Sequence, residues 1–373
     1  MKGSHNLTRL LGMTTAMTSR ERVTAAFNHE TPDRTPVFEY VLLSPVADAV
    51  LGRPFAACEE TWLALVAEVG WDEAVRREAV DRVEMAQRLG HDMIYCVPSP
   101  EVADQQLGAM PIPSEDLDDD PVERVRTRND ERRETPPALP DRRYLVFAKI
   151  REEMARRGVD LLLMVPTYDH GIWTDVDLMQ TMLLDPDVAA EHFALATESS
   201  FRHLDKYLEI GCDVVGVGGD FAGNRPLISR DVYCEFIVPE VAHVSQRAHT
   251  EGKWAVNASD GHLWPVIEDF LFGCEADGYI EIDLHAGMDL ARLKSLYGDR
   301  TTLLGNIDCG TTLSFASPEE VAAQTIACIE AGLGNGGHIL TASNAITASV
   351  PLVNYLAMVN AYRDYFNLER LCL

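Results

Sequence analysis

The 373-residue sequence predicts an α/β fold, a single (β/α)8 TIM barrel, and three observations support this prediction. Helical stretches repeatedly end in glycine, which suits the left-handed position that closes a helix. A short apolar run follows each of seven such glycines, as expected of a buried parallel strand, and residues 35–41 add an eighth run. A doubly wound open sheet is the alternative, but "GVGGDFAG" (216–223) lacks the GxGxxG order of a nucleotide loop.

The eight predicted strands are short, rich in apolar and β-branched residues, and flanked by polar ones. In chain order they cover residues 35–41, 91–98, 159–166, 212–220, 253–258, 274–283, 299–308 and 338–344. Helices fill the gaps, because residues 72–90 and 187–211 carry apolar side chains at helical spacing. Ser317, Pro318 and Glu320 form a capping-box start for a further helix.

Three regions follow from this pattern. Residues 1–16 are predicted to be a disordered extension, and residues 17–373 form the barrel. Residues 98–141 are rich in proline and acid, and they predict a long excursion that is mostly a solvated loop and partly a lid over the barrel mouth.

Composition excludes several function classes. The formal net charge of −27 makes the chain an acidic protein whose surface repels nucleic acid and anionic membranes. The eight cysteines form no CxxC pair and predict reduced thiols. No apolar run approaches the roughly 20 residues that span a bilayer, and no secretory signal is visible, so we expect a cytoplasmic protein.

Polar residues stand at the end of nearly every predicted strand, where barrel enzymes carry their chemistry. The predicted proton-transfer residues are Asp260, Asp220, His170 and His285. The predicted substrate-binding residues are Glu39, Tyr168, Asp169, Arg225, Asn257, Glu281, Asp283, Asn306 and Asn344. Non-catalytic roles remain open for these residues. Asp220 can cap a turn, Asp260 can form a turn closed by Gly261, and both histidines can be surface residues.

No metal site is predicted. The sequence contains no HxH, HxC or HExxH pair of the kind that binds catalytic zinc. A hard cation on Asp260, Glu281 and Asp283 is the alternative left open. A nucleophile elbow or Ser-His-Asp pattern is not visible either.

Several segments resemble the uroporphyrinogen decarboxylase superfamily. "MTSRERVTAAFNHETPDRTPVFEY" (17–40) is similar to its N-terminal signature, and residues 287–308 and 332–354 are similar to its late βα units. The resemblance covers roughly residues 17–367. It implies a single barrel, and either decarboxylation of porphyrinogen acetates without a cofactor or methyl transfer between corrinoid proteins and small acceptors, in some members onto a zinc-bound thiolate.

The departures from the family pattern narrow these chemistries. The decarboxylases carry an arginine-rich "RQAGR" after the first strand, but this chain has "EYVLLSP" (39–45) there, without arginine. The zinc methyltransferases place an HxC pair after the fifth strand and a cysteine after the eighth. Here Ala258, Asp260 and Asn344 occupy those positions and cannot supply the soft ligands.

The sequence therefore predicts a diverged barrel enzyme with no cofactor of its own. We expect a decarboxylase acting on a small carboxylate other than uroporphyrinogen. The nearly equal alternative is a methyltransferase or demethylase that works with a corrinoid protein, and a non-catalytic binding barrel comes third. The expected partners are a small-molecule substrate, possibly with a corrinoid protein or a second copy in a homodimer.

Overall fold

A computed structural model describes residues 16–101 and 120–373. Its centre is a parallel sheet whose seven strands lie side by side in chain order. They are β1 (Met93–Tyr95), β2 (Leu162–Pro166), β3 (Val214–Gly218), β4 (Trp254–Ala258), β5 (Gly278–Ile280), β6 (Thr302–Leu304) and β7 (His338–Ile339). Seven of the eight predicted strands are therefore present, and each pairs with its sequence neighbours.

The predicted first strand, residues 35–41, forms isolated bridges instead of a regular strand. Pro36 has no N–H group, and the N–H of Val37 is bonded to the Asp92 carboxylate (3.0 Å), so the ladder is interrupted. The segment still bonds on both sides: Phe38 N–H donates to Leu340 O (3.2 Å), and Asp92 N–H donates to Val37 O (2.7 Å). It thereby joins β7 to β1 and closes the barrel.

Helices surround the sheet and cover its outer face. They are α1 (Ser19–Phe27), α2 (Val46–Leu51), α3 (Glu59–Val69), α4 (Trp71–Leu89), α5 (Pro121–Glu134), α6 (Asp141–Arg157), α7 (Val176–Leu184), α8 (Pro186–Ile210), α9 (Arg230–Phe236), α10 (Val238–Thr250), α11 (Leu290–Tyr297), α12 (Thr312–Phe315), α13 (Pro318–Gly332) and α14 (Leu352–Tyr365). The two helices predicted at 72–90 and 187–211 correspond to α4 and α8. At α13, Ser317 and Glu320 form the predicted capping box.

Two hydrophobic clusters hold these layers together. The smaller one fills the barrel, where Phe38, Met93, Val256 and Leu304 meet, and Phe27 of α1 belongs to it. The larger one lies between the sheet and the surrounding helices. Each fully buried aliphatic or aromatic side chain stabilises the fold by about 1.5–3 kcal/mol.

Residues 98–141 were predicted to be mostly a solvated loop, but the described part of this range, residues 98–101 and 120–141, contains a helix. Helix α5 occupies much of it, because Asp120 caps the helix, Pro121 stands in its first turn, and Val122 and Val125 are buried. Residues 102–119, and the predicted extension apart from Ala16, lie outside the described residues. Across the described helices, none combines the length and the apolar character needed to cross a membrane.

Candidate active site

The loops that follow β3 and β4 lie backbone against backbone. Gly261 has a φ of +88°, and a Cβ there would lie 2.3 Å from the Ala222 carbonyl oxygen. His262 N–H donates to Gly223 O (2.8 Å). This approach lets the N–H of Asp260 donate to Asp220 Oδ1 (2.8 Å), so the two strand-end acids lie side by side.

Asp260 is also held from the opposite side. Asn344, beyond β7, donates from Nδ2 to Asp260 Oδ2 (2.7 Å). Burial and then the neighbouring charges of Asp220 and Asp283 raise the pKa of Asp260 to about 7, although the Asn344 bond opposes the rise. Asp260 is therefore about half protonated at neutral pH, as a general acid requires.

Three further carboxylates complete what we call the acidic cluster: Asp169, Asp220, Asp260, Glu281 and Asp283. Burial raises the pKa of Glu281 well above its usual range, and Asp260, Asp220 and Asp169 raise it further. Burial and Asp169 likewise raise the pKa of Asp220, against its bond from Asp260 N–H. Within the described ranges, no lysine or arginine forms an ion pair with any of the five carboxylates. The cluster carries protons and repels anions.

A tyrosine pair lies next to this cluster. The ring centroids of Tyr40 and Tyr95 are 4.4 Å apart. Both rings pack against the smaller hydrophobic cluster, which fills the barrel. Burial raises the pKa of both hydroxyls, and the charge of Glu281 raises it further. The pair places two aromatic rings inside the barrel.

The strand ends bring together six of the predicted site residues: Asp169, Asp220, Asp260, Glu281, Asp283 and Asn344. Turns in the backbone beyond β5, and not the strand itself, place Glu281 and Asp283 there. β5 ends at Ile280, and Glu281 has a positive φ of 69°, which redirects the chain. Asp283 then accepts hydrogen bonds from the N–H groups of His285 and Ala286 and forms a turn.

Three predicted binding residues face the surrounding helices instead of the site. Glu39 accepts from Ala342 N–H (3.3 Å) beneath α14, Asn257 donates to Phe270 O (2.9 Å), and Asn306 donates to Met288 O (3.3 Å). Phe38 and Val256 point into the barrel, and side chains alternate along a strand, so the adjacent Glu39 and Asn257 point outward. Asn306 lies two residues after the inward-pointing Leu304, where β6 ends, so strand alternation does not account for its orientation.

The two predicted histidines are not in the acidic cluster. His170 is only 3% exposed, and burial lowers its pKa to about 4, so it is neutral and shielded at pH 7. His285 binds Asp308 Oδ2 (3.0 Å) and Thr311 Oγ1 (2.8 Å) on the next loop. Despite burial, bonds from Thr311 and Thr312 lower the pKa of Asp308 to about 2. Both arrangements assign a structural role.

Two more predicted residues lie elsewhere. Arg225 is exposed in the loop after β3, where its carbonyl accepts from Gly223 N–H (3.0 Å). Tyr168 is buried and lines a cavity of ≈360 Å³ together with Arg132, Arg202 and Asp169 of the acidic cluster. That cavity lies between the end of β2 and helices α5 and α8.

Sequence reasoning missed Tyr95 and Cys309, and it chose Glu39 in place of Tyr40. Cys309 follows β6; its sulfur lies 3.4 Å from Ser343 Oγ, and burial raises its pKa. The alternation that places Phe38 and Met93 inward also places Tyr40 and Tyr95 inward, so this signal was present in the sequence. In the part of the chain that the structure describes, no group of three or more His, Cys, Asp or Glu is arranged to hold a metal ion.

Comparison with known proteins places the chain beside two enzyme types. A family model described as uroporphyrinogen decarboxylase (URO-D) matches residues 174–365. The uroporphyrinogen decarboxylase of Azoarcus sp. (strain BH72) is 24% identical over 203 residues, which are 53% of this chain and 54% of that protein. The methylcobamide:CoM methyltransferase MtaA of Methanosarcina barkeri is 23% identical over 188 residues, 50% of this chain and 52% of that protein.

These matches span about half the length of the curated relatives. A solved structure, a methyltransferase from Methanosarcina mazei, has a TM-score of 0.67 and 18% identity. The superposed region covers 94% of this chain and 99% of the methyltransferase chain. This supports the barrel fold over 94% of this chain.

Proposed function

The chain belongs to the uroporphyrinogen decarboxylase family, and from that premise we propose that it is a methyltransferase. Its methyl donor is a small neutral or cationic molecule, and the acceptor is a corrinoid on a partner protein. The observation that carries this proposal is the acidic cluster: five carboxylates that share one site without a cationic side chain paired to them. Similarity to a methylcobamide:CoM methyltransferase supports methyl transfer that involves a corrinoid, although in that protein the cobamide is the methyl donor.

A carboxylate substrate fits this site poorly. Bringing another anion beside Asp220, Asp260 and Glu281 would add like charge in a partly buried place, where screening by water is weak. No paired cation would offset that cost. A neutral ether or a protonated amine escapes this repulsion, and a cation would be attracted.

Asp260 supplies the proton that such a reaction needs. When a methyl–oxygen bond breaks, the oxygen keeps the bonding electron pair and must be protonated to leave easily. Asn344 donates to Asp260 Oδ2, so Oδ1 is the oxygen that can carry the proton. Asp220 accepts from the backbone of Asp260 and fixes the loop that presents it. The corrinoid supplies the nucleophile that takes the methyl group.

The loops around the barrel mouth suit a docking partner. Exposed large apolar side chains follow the closing segment and several strands, and one lies in helix α12. These residues are Leu43, Val97, Trp173, Leu227, Leu284 and, in α12, Phe315. Exposed apolar side chains beyond the strand ends favour protein contacts, and the strand ends are the side from which a corrinoid must reach Asp260.

Decarboxylation of a small carboxylate is the second candidate. Protonated Asp260 could equally deliver a proton to carbon after CO2 leaves, and three of the curated relatives are decarboxylases. The charge of the acidic cluster ranks this candidate below methyl transfer.

One assay separates the two. The protein is incubated anaerobically with reduced cobalamin, free or on a corrinoid protein encoded beside it, and with a panel of methoxy compounds, methylamines and small carboxylates. We expect a change in the cobalamin absorbance and a demethylated product for a methoxy or methylamine donor. CO2 release from a carboxylate, without methyl transfer from any donor, would reverse the ranking.

A further inference from the structure

The cavity of ≈360 Å³ beside β2 contains arginine side chains that the steps above do not use. It lies between the end of β2 and helices α5 and α8, and we call it the arginine cavity. Arg132 and Arg133 of α5 line it, as does Arg202 of α8. Small-molecule sites occupy about 300–1,000 Å³, so the arginine cavity is large enough for a small organic molecule.

Arg132 has no carboxylate partner in the part of the chain that the structure describes. The nearby Asp175 is already paired with Arg128 (3.0 Å), and Arg133 is paired with Asp130 (2.7 Å). Arg132 is half-buried, and burial and then the charge of Arg128 lower its pKa. A guanidinium that loses water without gaining an anion is destabilising, so an anion beside Arg132 would be favourable.

A neutral histidine holds Arg132 in place. Burial and then the charge of Arg132 lower the pKa of His192 to about 3, so its ring carries one proton at pH 7. A guanidinium can only donate, so His192 Nε2 accepts from Arg132 Nη1 (3.3 Å), and the ring proton lies on Nδ1. Nδ1 donates to Asn129 Oδ1 (2.9 Å), and Asn129 donates to Val188 O (3.0 Å). This chain of bonds orients the guanidinium without neutralising its charge.

Arg202 adds a second cation to the cavity wall. It donates from Nη2 to Pro137 O (2.6 Å), and among the described residues no carboxylate pairs with it. The adjacent His203 is bonded to Tyr144 Oη (2.6 Å), and burial lowers its pKa to about 4, so it is neutral at pH 7. The hydroxyl of Thr167, on the β2 side of the cavity, has no hydrogen-bond partner within the described ranges.

Two carboxylates also line the arginine cavity, and both belong to exposed residues. Asp169 accepts from Gly171 N–H (2.8 Å) in its own loop. Glu198 lies one helical turn before Arg202 on α8, where water screens its charge. Within the described residues, neither carboxylate forms an ion pair with an arginine of the cavity. The half-buried cation at Arg132 therefore stays available to a ligand.

We propose that the arginine cavity binds the anionic group of a small molecule, a carboxylate or a phosphate, with Arg132 and Arg202 as its cationic partners. This site goes beyond the proposed methyl transfer and does not depend on it. The planar fork of a guanidinium matches the oxygens of either anion. The net charge of −27 repels anions from the molecule as a whole, so saturable anion binding requires a local site of this kind.

Calorimetric titration with sodium phosphate and with sodium acetate tests the site at low ionic strength, with sodium chloride as the ionic-strength control. Arg132→Gln and Arg202→Gln each remove one charge from the cavity wall. Arg202 is exposed, so its replacement should not disturb the fold. Arg126→Gln removes the same charge from an exposed position of α5 outside the cavity and is the matched control.

We expect at least one of the two anions to bind at one site per chain, and to bind the unmodified protein and Arg126→Gln alike. Arg132→Gln and Arg202→Gln should each weaken this binding at least tenfold while keeping the circular-dichroism spectrum. Tighter binding of phosphate would assign a phosphate group to the ligand, and tighter binding of acetate would assign a carboxylate. Absence of saturable binding of both anions, or an unchanged affinity in either folded cavity variant, would overturn the proposal.

Discussion

Asp260 is held at both ends, by Asp220 through its backbone and by Asn344 through its carboxylate. The family resemblance places metal-binding cysteines of the zinc methyltransferases at the positions of Asp260 and Asn344. Here a 2.7 Å hydrogen bond joins those two positions. At the scale of single residues, these two positions carry an amide and a carboxylate that are bonded to each other.

Replacing Asp260 by asparagine should separate catalysis from folding. Asn keeps the shape and accepts from Asn344 but cannot donate a proton, so turnover of the methyl donor should fall about 10²–10⁴-fold. For the unmodified protein, kcat/KM should decline as pH rises above about 7, where Asp260 loses its proton. Asp289→Asn, at the cap of α11, should leave turnover unchanged.

The stability of Asp260→Asn has a definite sign. The folded pKa of Asp260 lies above the unfolded value of 3.8, so its stabilising contribution is present below pH 4 and is lost as pH rises toward 7. Asn does not titrate, so the variant should melt no lower than the unmodified protein at pH 8. If it melts several degrees lower and retains turnover, Asp260 is a turn residue.

Glu39 gives an independent test of the outward orientation that the structure assigns to it. Its folded pKa of about 8 exceeds the unfolded value of 4.5, so the protein should lose stability between pH 4.5 and 8 through this group. Glu39→Gln should equal the unmodified protein near pH 5 and be more stable at pH 9, as measured by urea unfolding. Glu68→Gln, at an exposed site, is the control. A loss of substrate affinity in Glu39→Gln with an unchanged pH profile would restore its predicted binding role.

At the scale of elements, the strand-end loops position the acids through close backbone contact. Gly261 and Gly252 both have positive φ, but a Cβ would be crowded only at Gly261. Gly252→Ala should therefore cost about 1–2 kcal/mol from the left-handed conformation alone. Gly261→Ala should cost clearly more and separate Asp220 from Asp260, as measured by chemical unfolding and turnover. Equal losses of stability in the two variants would show that the loop contact contributes little.

The barrel and its helices were predictable because they depend on local patterns. Glycine closures, apolar runs and the Ser317 capping box are written in neighbouring residues. A list of polar strand ends ignores which face each side chain occupies, so it grouped Glu39 and Asn257 with the acids although their side chains bond toward the surrounding helices. Their role in binding stays a prediction. The position of Glu281 depends on its positive φ, and no pattern in the sequence predicts a positive φ at this residue.

At the scale of the whole molecule, the net charge of −27 and the acidic cluster act in the same direction. Both favour small cations and neutral molecules over anions. That balance alone would also attract metal ions, so the ligand geometry must decide whether zinc is retained.

Zinc should not be retained at the strand-end position. Ala258 offers no donor atom, and the Asp260 and Asn344 side chains are already bonded to each other. After incubation with zinc and gel filtration, elemental analysis should find well below one zinc per chain. The triple variant Ala258→His, Asp260→Cys, Asn344→Cys restores the soft donor types and should retain about one zinc. One tightly held zinc in the unmodified protein would contradict this account.

Uroporphyrinogen should not be a substrate, although the chain belongs to the family named for its decarboxylation. The macrocycle carries eight carboxylates, and "EYVLLSP" (39–45) provides no arginine to pair with them. The five carboxylates of the acidic cluster would repel those groups. An anaerobic assay should therefore yield no coproporphyrinogen above a protein-free blank, while an authentic decarboxylase of the family converts the same batch. Coproporphyrinogen formed by this chain, and lost in Asp260→Asn, would mean that the acidic cluster accommodates an anion and that decarboxylation ranks first.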